Sequence, residues 1–141
     1  MEFYHQTSKD LGAKPQLLNI HKEVLRNTNF RTTIWTGDRL QVTVMCIPVG
    51  GEVGLEIHAE VDQVLQIDSG FARVYMGETK QSVKCFGLAD SYSAIIVPQK
   101  TWHNIINVGR IPLKLYSVYA PPEHPFGTIH KTKLESDLDE N

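Results

Sequence analysis

From residue 30 onward the chain is a succession of short β-branched runs in which polar and apolar residues trade places at period two. The runs cover residues 30–36, 40–49, 52–58, 63–67, 71–76, 82–86, 93–97, 104–108 and 113–119. Gly37-Asp38, Gly50-Gly51, Ser69-Gly70, Gly77, Gly87, Pro98, Gly109 and Pro112 separate them. Gln41-Val42-Thr43-Val44 shows the alternation plainly, and Cys46 continues the Val42/Val44 face, which reads as a core thiol. Strands at this even spacing predict an all-β antiparallel sandwich or barrel. Helical periodicity is confined to residues 19–28, a short N-terminal helix or turn after an extended 16–20 segment.

The ends differ from the middle. Pro121-Pro122-Glu123-His124-Pro125 cannot continue a sheet interior and is expected at the surface. The closing ESDLDEN carries four acids and no base, and is expected to fray. No linker or repeat divides the chain, so residues 1–141 read as a single domain. Residues 1–29 form its N-terminal strand/helix segment and 121–141 its C-terminal surface segment.

Composition narrows the function. Of 141 residues 41% are hydrophobic and 21% charged, as in an ordinary globular chain. The formal charge of −2 gives no basic excess for a phosphate backbone, which argues against nucleic acid. No run approaches a membrane span, and the first 15 residues hold no signal-peptide core. Cys46 and Cys85 form no CxxC pair and read as free thiols, with Cys85 structural. The expected address is the cytoplasm. The apolar 16–20 segment is an edge that a lone barrel would leave exposed.

The candidate chemistry lies between Gly50 and Gly70. Glu56 and His58, two apart on a predicted strand, leave the same face. A hairpin loop over 59–62 places Gln63 opposite His58, ~4.5–5.5 Å away between Cβ atoms. His103 enters a later strand behind the Pro98 turn and joins the cluster if the sheet curls on itself. Arg31, Arg39, Arg73 and Lys84 alternate with apolar residues and read as outward charges, with any inward one a candidate anion anchor. His5, His21, His124 and His130 fall in the terminal segments and carry no assigned role, with Trp102 and His124 weak candidates for the substrate wall.

The run Gly50-x5-Glu56-x-His58-x4-Gln63-x6-Gly70 resembles the first motif of the cupin superfamily, and Pro98-x-Lys100-x2-His103-x3-Asn107 resembles the second. The match covers residues 50–107. Glu56 stands where the family has its first histidine and Gln63 where it has a glutamate; Tyr92 and Lys100 stand at the second motif's glycines. The resemblance implies a double-stranded β-helix, the cupin jelly-roll barrel, with Glu56, His58, Gln63 and His103 around a divalent metal ion. It also implies a homodimer in which a second copy covers the 16–20 edge. The ligand set is similar, in another order, to that of cupin-type mannose-6-phosphate isomerases. Two imidazoles and a carboxylate suit Fe, Mn, Co, Ni or Zn. The implied function is a metal-dependent, sugar isomerase-like enzyme on a small polar molecule. The alternatives are an iron-dependent dioxygenase and a non-catalytic module for a small ligand.

Overall fold

The computed structural model describes residues 10–139; His5 and the last two residues of the acidic tail lie outside them. The elements in order are α1 (Ile20–Arg26), β1 (Arg31–Thr36), β2 (Gln41–Ile47), β3 (Asp62–Ser69), β4 (Ala72–Gly77), β5 (Lys84–Ala89), β6 (Ala94–Val97), β7 (Trp102–Asn107), β8 (Leu113–Ala120), β9 (Ile129–His130) and α2 (Lys133–Asp139). A six-stranded sheet in the order β6-β3-β8-β2-β1-β9 faces a three-stranded sheet, β5-β4-β7. Every strand pairing is antiparallel, and the two sheets form the antiparallel barrel that the alternation predicts, in the jelly-roll arrangement that the family resemblance implies.

Alternation decides which side chains face inward, and the inner face is divided along the strands. Register aligns Gln41 with Tyr119 and Tyr119 with Gln63, then Thr43 with Ser117, then Met45 with Leu115 and Ile67, then Ile47 with Leu113. The first two rows are mostly polar and the last two apolar, and all these side chains are buried. The apolar half packs Met45, Ile47, Leu65, Ile67, Leu113 and Leu115 against Val74, Met76 and Ile105 of the small sheet. Truncating the fully buried Leu115 to Ala costs about 2–5 kcal/mol by cavity formation. The apolar half thus carries the packing, and the polar half is free for chemistry.

Outside the barrel, α1 lays Val24 on Ile34 and Val44, with Leu18, Ile20, Val42 and Tyr116 around them. Its start is set by Asn19, whose side chain accepts a bond from the Lys22 N–H. The 16–20 segment is therefore no edge strand: Leu18, and Ile20 at the start of α1, pack on the Val24, Ile34 and Val44 cluster, while Leu17 is 98% exposed.

Several expectations need correction. Residues 52–58 form no strand but two isolated bridges, Glu52 with Ile106 and Glu56 with His103. Gln63 faces Val97 and Tyr119, not His58. Cys46 is only half-buried and lies on the outer face, because Gln41, Thr43, Met45 and Ile47 take the interior; Cys85 is exposed. Residues 135–139, expected to fray, belong to α2, docked by the buried Ser136. Its Lys133–Asp137 pair is 2.9 Å long and four residues apart, and Glu135, Asp137 and Asp139 all belong to the helix.

Candidate metal centre

Three donors converge at the polar end of the barrel. Glu56 is locked to β7 by its N–H donating to the His103 carbonyl at 3.0 Å and its carbonyl accepting from the His103 N–H at 2.9 Å. His58 is fixed by its carbonyl, which accepts from the Lys100 N–H at 2.7 Å. Glu56 Oε2 lies 3.5 Å from His58 Nε2 and 3.4 Å from His103 Nε2. The two rings are 5.2 Å apart between centroids.

The ring orientations are set from behind. His103 Nδ1 donates to the Thr101 carbonyl at 2.9 Å, which leaves the Nε2 lone pair aimed at Glu56. His58 Nδ1 lies 3.4 Å from Glu123 Oε2, a carboxylate on the far side of the ring. Both Nε2 atoms are buried without a hydrogen-bond partner. A carboxylate oxygen this close to each Nε2 calls for a positive charge between them, either a ring proton or a shared metal ion. Two donors ~2.1 Å from one ion at a tetrahedral angle sit about 3.4 Å apart, matching the spacing found. The donor set thus fits a divalent transition metal, and a carboxylate behind a ligating imidazole is the usual outer support.

The electrostatics agree. Burial alone pushes Glu56 up, yet the two imidazoles overcome it and hold the carboxyl well below the usual carboxylate range. Burial pulls His58 down, but the bonds and charges of Glu123 and Glu56 outweigh it and raise the ring to about 9. The negative field that retains this proton is the field that favours a metal cation.

The structure brings Glu56, His58 and His103 together. Gln63 Nε2 donates to Ser117 Oγ at 2.7 Å, and its Oε1 is buried without a partner. Trp102, next to His103, faces the other side of β7, where the Lys80 ammonium lies 5.7 Å from its ring. His21 pairs with Asp68 at the surface, 2.6 Å away. Asn107 ties a loop through the Ile47 and Ile111 carbonyls, each 3.0 Å from its Nδ2.

His124, a candidate for the substrate wall, and His130, without an assigned role, both join the aromatic contacts that start at His58. The Tyr119 ring lies 5.9 Å from His58 and 5.3 Å from His124, which in turn is 6.3 Å from His130. Burial, then the Arg31 charge, pushes His124 down to about 3, so this ring is neutral at neutral pH. Burial raises the Tyr119 hydroxyl. The signal for Tyr119 was in the alternation of β8, where Leu113, Leu115, Ser117 and Tyr119 share one face. Glu123 carried no such signal, because only the path of the 121–125 loop brings it to His58. Arg31, read as outward, is 2% exposed and points inward, since its register partner is the buried Met45.

Tyr92 and Lys100, at the motif positions of two glycines, have φ of 73° and 63°. The left-handed turns that the motif needs are thus kept without glycine, at a steric cost.

A broad concavity lies away from this cluster. A groove of about 700 Å³ runs between the edges of β5 and β6, lined by Met76, Phe86, Ile96, Pro98 and Thr101 among others. Glu78 and Lys84 also line it, and none of the Glu56, His58 and His103 donors does.

Comparison with known proteins agrees with this architecture. Residues 13–121 match the family model described as mannose-6-phosphate isomerase C-terminal. The Bacillus subtilis protein YrkC is 50% identical over 91% of this chain and 69% of its own length. The crystal structure of BH2720 from Bacillus halodurans superposes with a TM-score of 0.88 at 45% identity, covering 92% of this chain and 98% of that one. An RmlC-like cupin from Shewanella frigidimarina shares the fold at a TM-score of 0.55 and 16% identity, over 67% of this chain and 77% of that one.

Proposed function

The chain belongs to the mannose-6-phosphate isomerase C-terminal family and has the cupin fold, and from that premise we propose that it is a metal-dependent enzyme acting on a small polar molecule with sugar isomerase-like chemistry. Glu56, His58 and His103 are the residues that would hold the ion, with Gln63 Oε1 a candidate fourth donor from the same interior. The set suits Fe, Mn, Co, Ni or Zn. When bound, such an ion supplies Lewis-acid polarisation of a carbonyl oxygen.

The chain's own groups do the rest. Glu123 holds His58 by Nδ1, and the Thr101 carbonyl holds His103, so both imidazoles present Nε2 inward. Tyr119 and His124 line the adjoining wall, and His124 Nε2, buried and unpartnered, is available to a hydrogen-bonding group of the ligand. Leu65, Met45 and Leu115 close the floor and exclude water.

The convergence of two orphaned Nε2 atoms on one Glu56 oxygen carries this reading. The test is aldose–ketose interconversion, followed by NMR across a panel of sugars, on protein loaded in turn with Mn(II), Zn(II) and Fe(II). Turnover that disappears in His103→Ala supports it; a fully metallated protein inert to the whole panel overturns it. The two-histidine, one-carboxylate donor set also matches the facial triad of non-haem iron oxygenases. Oxygen uptake dependent on Fe(II) in the same samples would select that second reading.

A further inference from the structure

Arg31 is among the largest fully buried side chains of the protein, and it faces the barrel interior. Its NH1 donates to His130 Nδ1 at 3.1 Å and to Ser136 Oγ at 2.8 Å. His130 must then carry its proton on Nε2, which donates to Asp139 Oδ2 at 2.8 Å. Both direct partners of the guanidinium are neutral acceptors. Among the described residues no carboxylate forms an ion pair with it, and its Nε is buried with no partner at all.

A buried guanidinium cannot shed its charge, so an uncompensated one is costly unless an anion meets it. Three further interior atoms are buried and unpartnered: Thr43 Oγ1, Gln63 Oε1 and His124 Nε2. With Arg31 Nε they make a set of donors and acceptors that the protein does not satisfy by itself. Thr43 and Gln63 lie on the polar rows of the large sheet, His124 lies on the loop between β8 and β9 with its ring 6.3 Å from that of His130, and Arg31 stands on β1 beside Met45. The partners that orient Arg31, His130 and Ser136, fall beyond the 13–121 span shared with the family, so this arrangement comes from the chain's own C-terminal β9–α2 segment.

We propose that Arg31, held by His130 and Ser136, is an anion-binding subsite in the ligand chamber, and that the ligand is a small molecule carrying a carboxylate or phosphate on Arg31 and hydroxyl or amide groups toward Thr43, Gln63 and His124. The proposal rests on reading the barrel interior as the substrate chamber. The planar fork of N–H groups suits the paired oxygens of either anion. Enclosure by Tyr119 and Met45 limits the ligand to small molecules.

The Arg31 Nε–Hε resonance of ¹⁵N-labelled wild-type protein reports the subsite directly. Inorganic phosphate, and separately malonate, are titrated into EDTA-treated and into zinc-loaded samples. Saturable movement of that resonance is expected in both, and the tighter anion identifies the head group. Arg31→Met is expected to weaken that anion at least tenfold while zinc content stays the same. A resonance that neither anion moves, or undiminished affinity in Arg31→Met, overturns the proposal. If Arg31→Met does not fold, Arg31→Lys assigns the resonance, and the wild-type titration decides alone. Movement in a protein that takes up no zinc would remove the metal reading and leave this one standing; zinc uptake with an unmoved resonance would do the reverse.

Discussion

Glu123 Oε2 lies 3.4 Å from Nδ1 of His58, although 65 positions separate the two residues in sequence. Gln41 makes that contact reproducible. Its Oε1 accepts from the N–H groups of Glu123 at 3.1 Å and His124 at 2.9 Å, and its Nε2 donates to the His124 carbonyl at 2.7 Å. One buried amide at the start of β2 thus shapes the loop, the loop aims Glu123, and Glu123 orients a candidate ligand.

His103→Ala is expected to abolish stoichiometric metal binding, because it removes one of three donors and its orienting bond to Thr101. Glu123→Gln keeps all three donors and is expected to weaken metal affinity only about 10–100-fold. Elemental mass spectrometry measures the first, and competition with a chromophoric chelator the second. Wild-type affinity in Glu123→Gln would show that the His58–Glu123 contact supports nothing at the centre.

Gln41→Leu fills the same space without the amide. Two N–H groups and a carbonyl of the 123–124 loop then lose their partner, at about 1–3 kcal/mol for each group left buried and unsatisfied. The expected result in urea is a lower midpoint with an unchanged slope, and a metal affinity reduced about as in Glu123→Gln. A destabilised variant with wild-type affinity would place Gln41 in the fold alone.

Lys100 and Tyr92 hold φ of 63° and 73° with side chains that resist that region. The left-handed penalty is about 1–2 kcal/mol, and glycine returns about 0.5–1 of it as added freedom in the unfolded chain. Lys100→Gly and Tyr92→Gly are each expected to raise stability by up to about 1 kcal/mol, seen as a higher thermal midpoint. Gly70→Ala is the opposite case: φ is 108° and the new Cβ would come 2.9 Å from Leu113 Cα, so stability falls. Loss of stability in Lys100→Gly would mean that its side chain contributes more than its backbone costs.

What the sequence made readable follows from range. Period-two alternation is local, so most strands from β1 to β8 could be read directly, and the motif spacing brought Glu56, His58 and His103 together across β7. Residues 52–58 defeated that reading because their alternation serves two isolated bridges, with no continuous ladder. Gln63 was placed opposite His58 by assuming a hairpin, whereas β3 pairs instead with β6 and β8. Arg31 was invisible for a different reason: which face of β1 turns inward depends on its register with β2 and on the β9–α2 segment that covers it. His130 and Ser136 had no local signal, since their role begins only when residue 31 is beside them.

His124 sets the last expectation, the response to acid. Burial and the Arg31 charge push its folded-state value down from 6.5 to about 3. Between those values the unfolded chain binds a proton that the folded chain refuses, so stability rises with pH across the window. Its contribution is complete above about 6.5 and is lost as pH falls toward 3. His58 has the opposite sign and a separate window: raised to about 9, it stabilises below 6.5 and loses that effect as pH climbs through 9. Urea unfolding at about pH 7 and about pH 5 should therefore differ by roughly 1–2 kcal/mol through His124. His124→Gln, which cannot titrate, is expected to remove that difference while leaving the decline above pH 7 intact. An unaltered acid slope in His124→Gln would mean that the ring accepts its proton where it stands.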